Sequence, residues 1–140
     1  MPDLRAHHFG TTVSNLDRAV AFYRDVLGLE VVATFSVGDD AFAEGVGVDG
    51  ASANFAHLDA GGARVELVEY DPAGEDARAA AVNEGGAKHL GLEVDDVESF
   101  YASLPATVET VSDGPRTTES GTSILFVRDP DGNLIEVLEP

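Results

Sequence analysis

The chain has 140 residues, a length that suits one compact domain or two small modules that share a core. Hydrophobic residues make up 44% of it, which is enough to bury a core and excludes global disorder. The net charge of −18 disfavours binding to nucleic acid or anionic membranes, because so negative a surface repels phosphate groups. The absence of cysteine excludes disulfides, thiolate metal ligands and a cysteine nucleophile.

The basic residues are strongly skewed towards arginine, with Lys88 as the single lysine. An excess of carboxylates with little lysine is typical of proteins from salt-loving organisms, where molar salt shortens the Debye length to about 3 Å. We therefore expect a halophilic protein. The first five residues lack the apolar stretch of a signal peptide, and no apolar run reaches the roughly 18 residues of a membrane helix. These two features predict a cytoplasmic location.

In chain order, the first half is predicted to fold as β-α-β-β-β. Its first predicted strand begins at His8, and the other three cover 29–35, 52–58 and 64–70. Ser14 or Asn15 is a good N-cap for a helix over about 16–27, and Gly28 follows as a stop signal. The polar, glycine-rich stretch 39–50 is predicted to be a loop.

The second half is predicted to repeat this order. Its elements are a strand at 88–94, a helix at about 96–104, a short strand near 107–111, and strands at 121–127 and 133–138. Residues 71–87 contain prolines and glycines and form a linker, within which 77–82 are predicted to be a short helix. The prediction is one domain over 1–140, with module 1 at about 1–70, this linker, and module 2 at about 88–140.

An internal repeat supports the two-module organisation. Residues 8–16 and 89–97 share one pattern: His, apolar, Gly, two variable residues, Val, one variable residue, Asn or Asp, apolar. Each copy then enters a helix-like stretch that contains Phe-Tyr. Each half ends in a similar apolar strand with a glutamate, Glu66 in the first half and Glu136 in the second. Each half thus opens with a histidine-bearing strand and closes with a glutamate-bearing strand.

The four residues that this repeat places in register are candidate metal ligands: His8, Glu66, His89 and Glu136. Each glutamate has apolar neighbours, and a charge inside a buried strand is costly unless it is paired or bound to a metal ion. Two imidazoles and two carboxylates suit a borderline divalent cation with water in the open positions. The alternative is that the glutamates are strand-edge charges and the histidines are satisfied core side chains; their placement by the repeat favours one shared metal site.

These residues resemble the vicinal oxygen chelate superfamily, which includes glyoxalase I, methylmalonyl-CoA epimerase, extradiol dioxygenases and bleomycin-resistance proteins. The resemblance covers nearly the whole chain and is carried by residues 8–10 with 22–28, by 89–96 and, most specifically, by 126–136. It implies an α+β fold of two tandem βαβββ modules whose curled mixed sheets surround a metal-binding cavity. It also implies that the four candidate residues occupy all four ligand positions of the family.

The resemblance implies an enzyme: a divalent-metal-dependent, glyoxalase-like lyase or isomerase that transfers a proton through a metal-bound enediolate. The metal would be Ni, Zn, Co or Mn, and Glu136 or Glu66 would be the catalytic base. One alternative is a methylmalonyl-CoA-epimerase-like isomerase, although no carboxylate stands at 51–54, where bacterial epimerases carry a further catalytic one. The others are an Fe(II) extradiol-type dioxygenase and a resistance-type protein that sequesters a small molecule.

Three expectations remain. His57 lies on a predicted strand and is a possible auxiliary acid or base, although an exposed strand histidine is the commoner case. A small-molecule substrate is expected. We also expect a homodimer, because family members of this size commonly dimerise and a curled sheet leaves edges that a partner can cover. The four ligands could then meet within one chain or across a dimer.

Overall fold

The computed structural model describes residues 2–140 and divides the chain into two units, a first unit of Met1–Asp76 and a second unit of Ala77–Pro140. Each unit contains one four-stranded mixed sheet. The two sheets and few helices, arranged as two tandem modules, confirm the predicted α+β fold. In residues 2–140, no helix is long and apolar enough to cross a membrane.

The first unit follows the predicted order with one additional helix. Its elements are β1 His8–Thr12, α1 Leu16–Ala21, β2 Glu30–Val37, α2 Asp40–Val46, β3 Ser52–Asp59 and β4 Arg64–Asp71. The helix α1 continues as a π-helical turn over Phe22–Val26 and ends at Gly28, whose φ of +76° favours glycine. The sheet order is β1-β4-β3-β2, with β1 parallel to β4 and the other pairs antiparallel.

The second unit repeats this sheet. Its elements are β5 His89–Glu93, α3 Val97–Ser103, β6 Arg116–Thr117, β7 Ser123–Arg128 and β8 Leu134–Glu139. The sheet order is β5-β8-β7-β6, again with a parallel first pair and antiparallel neighbours beyond it. The two sheets therefore have the same strand order and the same strand directions.

The first helix of each unit starts in the same way. Asn15 caps α1 by accepting a hydrogen bond from the backbone N–H of Arg18, and Asp96 caps α3 by accepting from that of Ser99. A glutamate near the end of the last strand satisfies one further N–H: Glu69 accepts from the first residue of α1, and Glu139 accepts from the first residue of α3. Each helix is thereby fixed to the strand that bears the candidate glutamate.

Apolar side chains on the sheet face towards α1 or α3 form the main core of each unit, and in the first unit Ala53, Phe55 and Val68 form a smaller buried cluster on the opposite face, against Phe42 of α2. Alternate strand residues share a face, so the residues on either side of each candidate glutamate point towards the helix. The fully buried residues include Tyr23, Leu58, Val65 and Leu67 in the first unit and Val97, Leu125, Ile135 and Val137 in the second. The glutamates themselves lie on the opposite face.

The helix α2 corrects the prediction of a loop at 39–50. Asp39 caps it by accepting a hydrogen bond from the N–H of Phe42, and Gly47 ends it in the left-handed region at φ +72°. The ring of Phe42 lies 5.9 Å from that of Phe55 and 6.2 Å from that of Tyr70. Tertiary packing of this one aromatic side chain outweighs the glycines that suggested a loop.

Two further predictions are wrong in detail. The stretch 107–111 forms only the single bridge Thr110–Val127, because a turn through Gly114 and the following proline interrupts this edge before β6 begins. The stretch 77–82 is not helical: its carbonyl groups at Ala79 and Ala80 accept hydrogen bonds from the guanidinium of Arg128. A side chain distant in the sequence, and not the backbone of a helix, therefore binds these carbonyl groups.

Candidate functional site

The candidate residues of the first unit lie on the face of its sheet opposite α1. β4 is flanked by β1 and β3, with Gly10 and His57 in register with Glu66 on either side. His8 is in register with Arg64, two residues before Glu66, and alternation places all four side chains on the same face. The sequence therefore gathers two imidazoles, one guanidinium and one carboxylate at this place.

His8 and Glu66 face each other without a direct hydrogen bond. The distance from His8 Nε2 to Glu66 Oε1 is 3.6 Å, beyond the usual range for an N–H···O bond. The other ring nitrogen of His8, Nδ1, lies 2.7 Å from Nδ1 of His7. His7 thus contacts the far side of the His8 ring and helps to direct Nε2 towards Glu66.

His57 is buried, with 5% of its surface exposed, so the expectation of an exposed strand histidine is wrong. Its Nε2 lies 2.7 Å from Glu66 Oε2, and its Nδ1 lies 3.2 Å from Arg64 Nη1. His8 and His57 thus approach different oxygens of one carboxylate. Phe35 packs edge-on against the His57 ring, with centroids 5.2 Å apart, and forms an apolar wall on this side.

The second unit presents a simpler version of the same arrangement. His89 Nε2 lies 3.5 Å from Glu136 Oε1, and Gly91 is in register with Glu136 as Gly10 is with Glu66. On the antiparallel neighbour β7, Phe126 is in register with Glu136. Its ring packs edge-on against His89, with centroids 5.1 Å apart. Within the second unit, only His89 lies within ion-pair distance of Glu136.

The donor atoms in each pair fit two neighbouring ligands of one divalent cation. Two donors at about 2.1 Å from a cation are about 3.0 Å apart at a right angle and about 3.4 Å apart at the tetrahedral angle. The observed separations of 3.6 and 3.5 Å lie close to the second value. In residues 2–140, no three His, Asp or Glu side chains are grouped as a metal site.

The role of Arg64 was missed at the level of sequence, although a signal was present. Once a four-residue loop is assigned to 60–63, the hairpin register places His57 directly opposite Glu66, and alternation places Arg64 on the same face. The loop is marked by Asp59, which accepts a hydrogen bond from the N–H of Gly61. Counting outward from that turn would have identified the contact.

Comparison with known proteins places this geometry in context. The family model for the Glyoxalase/Bleomycin resistance protein/Dioxygenase superfamily matches residues 5–137. The 2-epi-5-epi-valiolone epimerase of an Actinomyces species is 29% identical over 94% of this chain and 77% of its own length. The mitochondrial methylmalonyl-CoA epimerase of Mus musculus is 27% identical over 95% of this chain and 71% of its own length.

A crystal structure of a glyoxalase family protein from Bacillus cereus shares the fold. Its TM-score is 0.86 at 24% identity, and the superposition covers 99% of this chain and 95% of that one. At this identity, the likeness concerns the fold alone.

Proposed function

Since the chain belongs to the Glyoxalase/Bleomycin resistance protein/Dioxygenase superfamily, we propose that it is a divalent-metal-dependent isomerase or lyase of the glyoxalase kind. Its reaction would move a proton between neighbouring carbon atoms of a small substrate, such as a 2-oxo hemithioacetal. One observation carries the proposal: the same His–Glu pair, with donors 3.5 to 3.6 Å apart, occurs at the same strand register in both units.

The four paired residues His8, Glu66, His89 and Glu136 would hold the cation. When bound, a divalent cation polarises substrate oxygens and makes the neighbouring C–H more acidic. The chain's own contribution is to present two imidazoles as neutral ligands and two carboxylates that balance the charge of the ion. His7 supports this by binding Nδ1 of His8, which leaves Nε2 for the cation.

Glu136 is the residue that would move the proton. A base must change its position or its partner during the reaction, and the carboxylate of Glu136 has fewer restraints within its unit than that of Glu66. Glu136 takes the proton from the acidified carbon and returns it to the adjacent carbon. The C–H bond at the acidified carbon breaks and a C–H bond forms at the adjacent carbon, while the hydroxyl proton of the first carbon passes to the oxygen of the neighbouring carbonyl. The first carbon is oxidised as the second is reduced, so no external oxidant is required.

Epimerisation is the second candidate, because both curated relatives described above are epimerases. An epimerase also removes a proton beside a carbonyl group, but returns it to the opposite face of the same carbon. The same base and ligands serve for the first half of that reaction. The two candidates therefore differ in where the proton is returned.

Metal analysis and substrate turnover test the proposal together. Protein purified without oxygen should contain or bind Ni, Co, Mn or Zn, and should convert hemithioacetals of a thiol panel to thioesters, or exchange the α-hydrogen of methylmalonyl-CoA in D₂O. His89→Ala should weaken metal binding with little change in the fold, because this side chain is 43% exposed. Glu98→Gln, an exposed carboxylate on α3, is the matched control and should bind metal like the wild type.

The other classes give different results. Bound Fe(II) with oxygen uptake would indicate a dioxygenase. Metal-free protein that still binds small molecules would indicate sequestration. Either result would overturn the proposal.

A further inference from the structure

Three side chains in the first unit form a continuous chain of contacts, Arg64–His57–Glu66. The guanidinium of Arg64 lies 3.2 Å from Nδ1 of His57, and Nε2 of His57 lies 2.7 Å from Oε2 of Glu66. All three belong to the β3–β4 hairpin, where His57 is directly opposite Glu66. His57 approaches Oε2 of Glu66, whereas His8 faces Oε1.

The direction of these hydrogen bonds follows from the chemistry of arginine. A guanidinium has N–H donors and no acceptor, so Nδ1 of His57 must accept from Arg64 and carries no proton. The ring proton is therefore on Nε2, which donates to the carboxylate. A doubly protonated ring would point an N–H of Nδ1 at the N–H groups of Arg64. The geometry thus selects the neutral Nε2–H tautomer of His57.

This tautomer fixes one oxygen of Glu66 and leaves the other available. Oε2 accepts the hydrogen bond from His57, while Oε1 faces Nε2 of His8 at 3.6 Å. The side chain of His57 is only 7% exposed, so its ring is held by its surroundings. Hydrogen bonds of this kind orient metal ligands, and their loss typically costs about 10- to 100-fold in metal affinity.

We propose that His57 is a positioning residue, with its tautomer selected by Arg64, that holds Glu66 in the orientation in which Oε1 serves as a metal ligand. This role rests on the proposed metal-dependent function, and it differs from that of an auxiliary acid or base. His57 makes its contact through Glu66 and carries out no proton transfer with substrate.

The second unit provides an internal reference for this role. Phe126 occupies the position of His57 in the strand register, opposite Glu136, and has no group that can donate to a carboxylate. Leu134 stands in the place of Arg64, since it is in register with His89 as Arg64 is with His8. The chain of contacts is thus specific to one of the two glutamates.

NMR of the metal-free protein tests the tautomer directly. In protein labelled with ¹⁵N-histidine, the long-range ¹H–¹⁵N spectrum should show His57 as a neutral ring with its proton on Nε2. Arg64→Met, which keeps an aliphatic stem and removes the guanidinium, should shift His57 towards a mixture of tautomers. A wild-type His57 that is protonated on Nδ1, or on both nitrogens, would overturn the proposal.

Zn²⁺ titration calorimetry tests the consequence for the ligand. His57→Phe copies the second unit and should weaken Zn²⁺ binding about 10- to 100-fold. His57→Gln should restore most of the affinity, because an amide offers both a donor to Glu66 and an acceptor for Arg64. Phe100→Leu, at a half-buried position on α3, is the control and should bind Zn²⁺ much as the wild type does. Equal affinities of His57→Phe and wild type would contradict the positioning role.

The two proposals fail in different ways. If the wild-type protein binds no divalent cation, the proposed function is wrong. The positioning role of His57 is then wrong as well, even if NMR shows the expected tautomer. If the wild type binds Zn²⁺ but His57→Phe binds it equally well, only the positioning role is wrong. Should His57→Phe fail to fold by circular dichroism, His57→Gln and Arg64→Met carry the same comparison.

Discussion

The two units carry the same His–Glu pair on the same parallel strands, but they differ in what lies beside each glutamate. In the first unit, His57 donates a hydrogen bond to Glu66 at 2.7 Å. In the second, Phe126 occupies the matching position and packs against His89 instead. A repeated scaffold has thus kept its donor atoms while the surroundings of the two carboxylates have diverged.

This difference supports the proposed division of labour between the two glutamates. A ligand works best when its orientation is fixed, whereas a base must be able to rotate towards its proton. Glu66 has the fixed environment and Glu136 has the freer one. The comparison therefore turns two residues that are equivalent in the repeat into two residues with separate expected roles.

Exchanging each glutamate for glutamine tests this division and gives the largest expected effect. Glu136→Gln should lower turnover about 10²- to 10⁴-fold, because it removes the proposed base, while metal affinity falls much less. Glu66→Gln should mainly weaken metal affinity, and part of its turnover should return at saturating metal. Steady-state kinetics and metal titration on both variants provide the measurement.

Equal losses in binding and turnover for Glu136→Gln would make this residue only a ligand. The base would then have to be sought at Glu66 or, against the positioning role proposed above, at His57, and the division of labour between the two glutamates would be wrong. Glu98→Gln serves again as the control for the loss of one negative charge, since this residue is exposed on α3.

Much of the fold could be predicted because its signals are local or repeated. The His-x-Gly strands, the helix caps and the hairpins are marked by short patterns, and the repeat marks them twice. Asp129 is an example: its carboxylate accepts hydrogen bonds from the N–H groups of Asp131 and Asn133 and so shapes the turn between β7 and β8. Each such feature needs only neighbouring residues.

The site was harder to predict, because its key contact depends on the length of a loop. The β3–β4 loop covers 60–63, whereas the β7–β8 loop covers 129–133 and is one residue longer. The sequence separation between His57 and Glu66 therefore differs from that between Phe126 and Glu136. Their equivalence is visible only in the strand register, and so the asymmetry between the units was not foreseen.

Matched cavities in the two cores test whether the units contribute equally to stability. Leu67 and Leu125 are both fully buried, one in each unit. Each Leu→Ala change should lower the free energy of unfolding by about 2–5 kcal/mol, through lost burial and the cavity left behind. Denaturant unfolding measures this, with Leu4→Ala, at a 94% exposed position, as a control that should leave stability unchanged. A full-size effect in only one unit would show that the two cores are not equivalent.

The smallest expected effect is a difference between the two helix caps in how their contribution to stability depends on pH. The cap of α1 is the neutral Asn15, and Asn15→Ala should cost about 1 kcal/mol at every pH at which the protein is folded. The cap of α3 is Asp96, and the hydrogen bonds from the backbone N–H and hydroxyl of Ser99 hold the pKa of its carboxyl below the ordinary value.

A lowered pKa in the folded state means that the charged form of Asp96 stabilises the fold. This contribution is fully present above the ordinary aspartate pKa of about 3.9 and is lost as the pH falls through the lower, folded value. The stability difference between wild type and Asp96→Ala should therefore shrink between about pH 6 and about pH 3. The difference for Asn15→Ala should stay constant over the same range. Urea unfolding of the wild type, Asn15→Ala and Asp96→Ala at both pH values measures these differences in stability. Carboxylates shared by all three proteins cancel in the differences, so that only the substituted cap contributes. A constant difference for Asp96→Ala would mean that this cap acts through its shape and not through its charge.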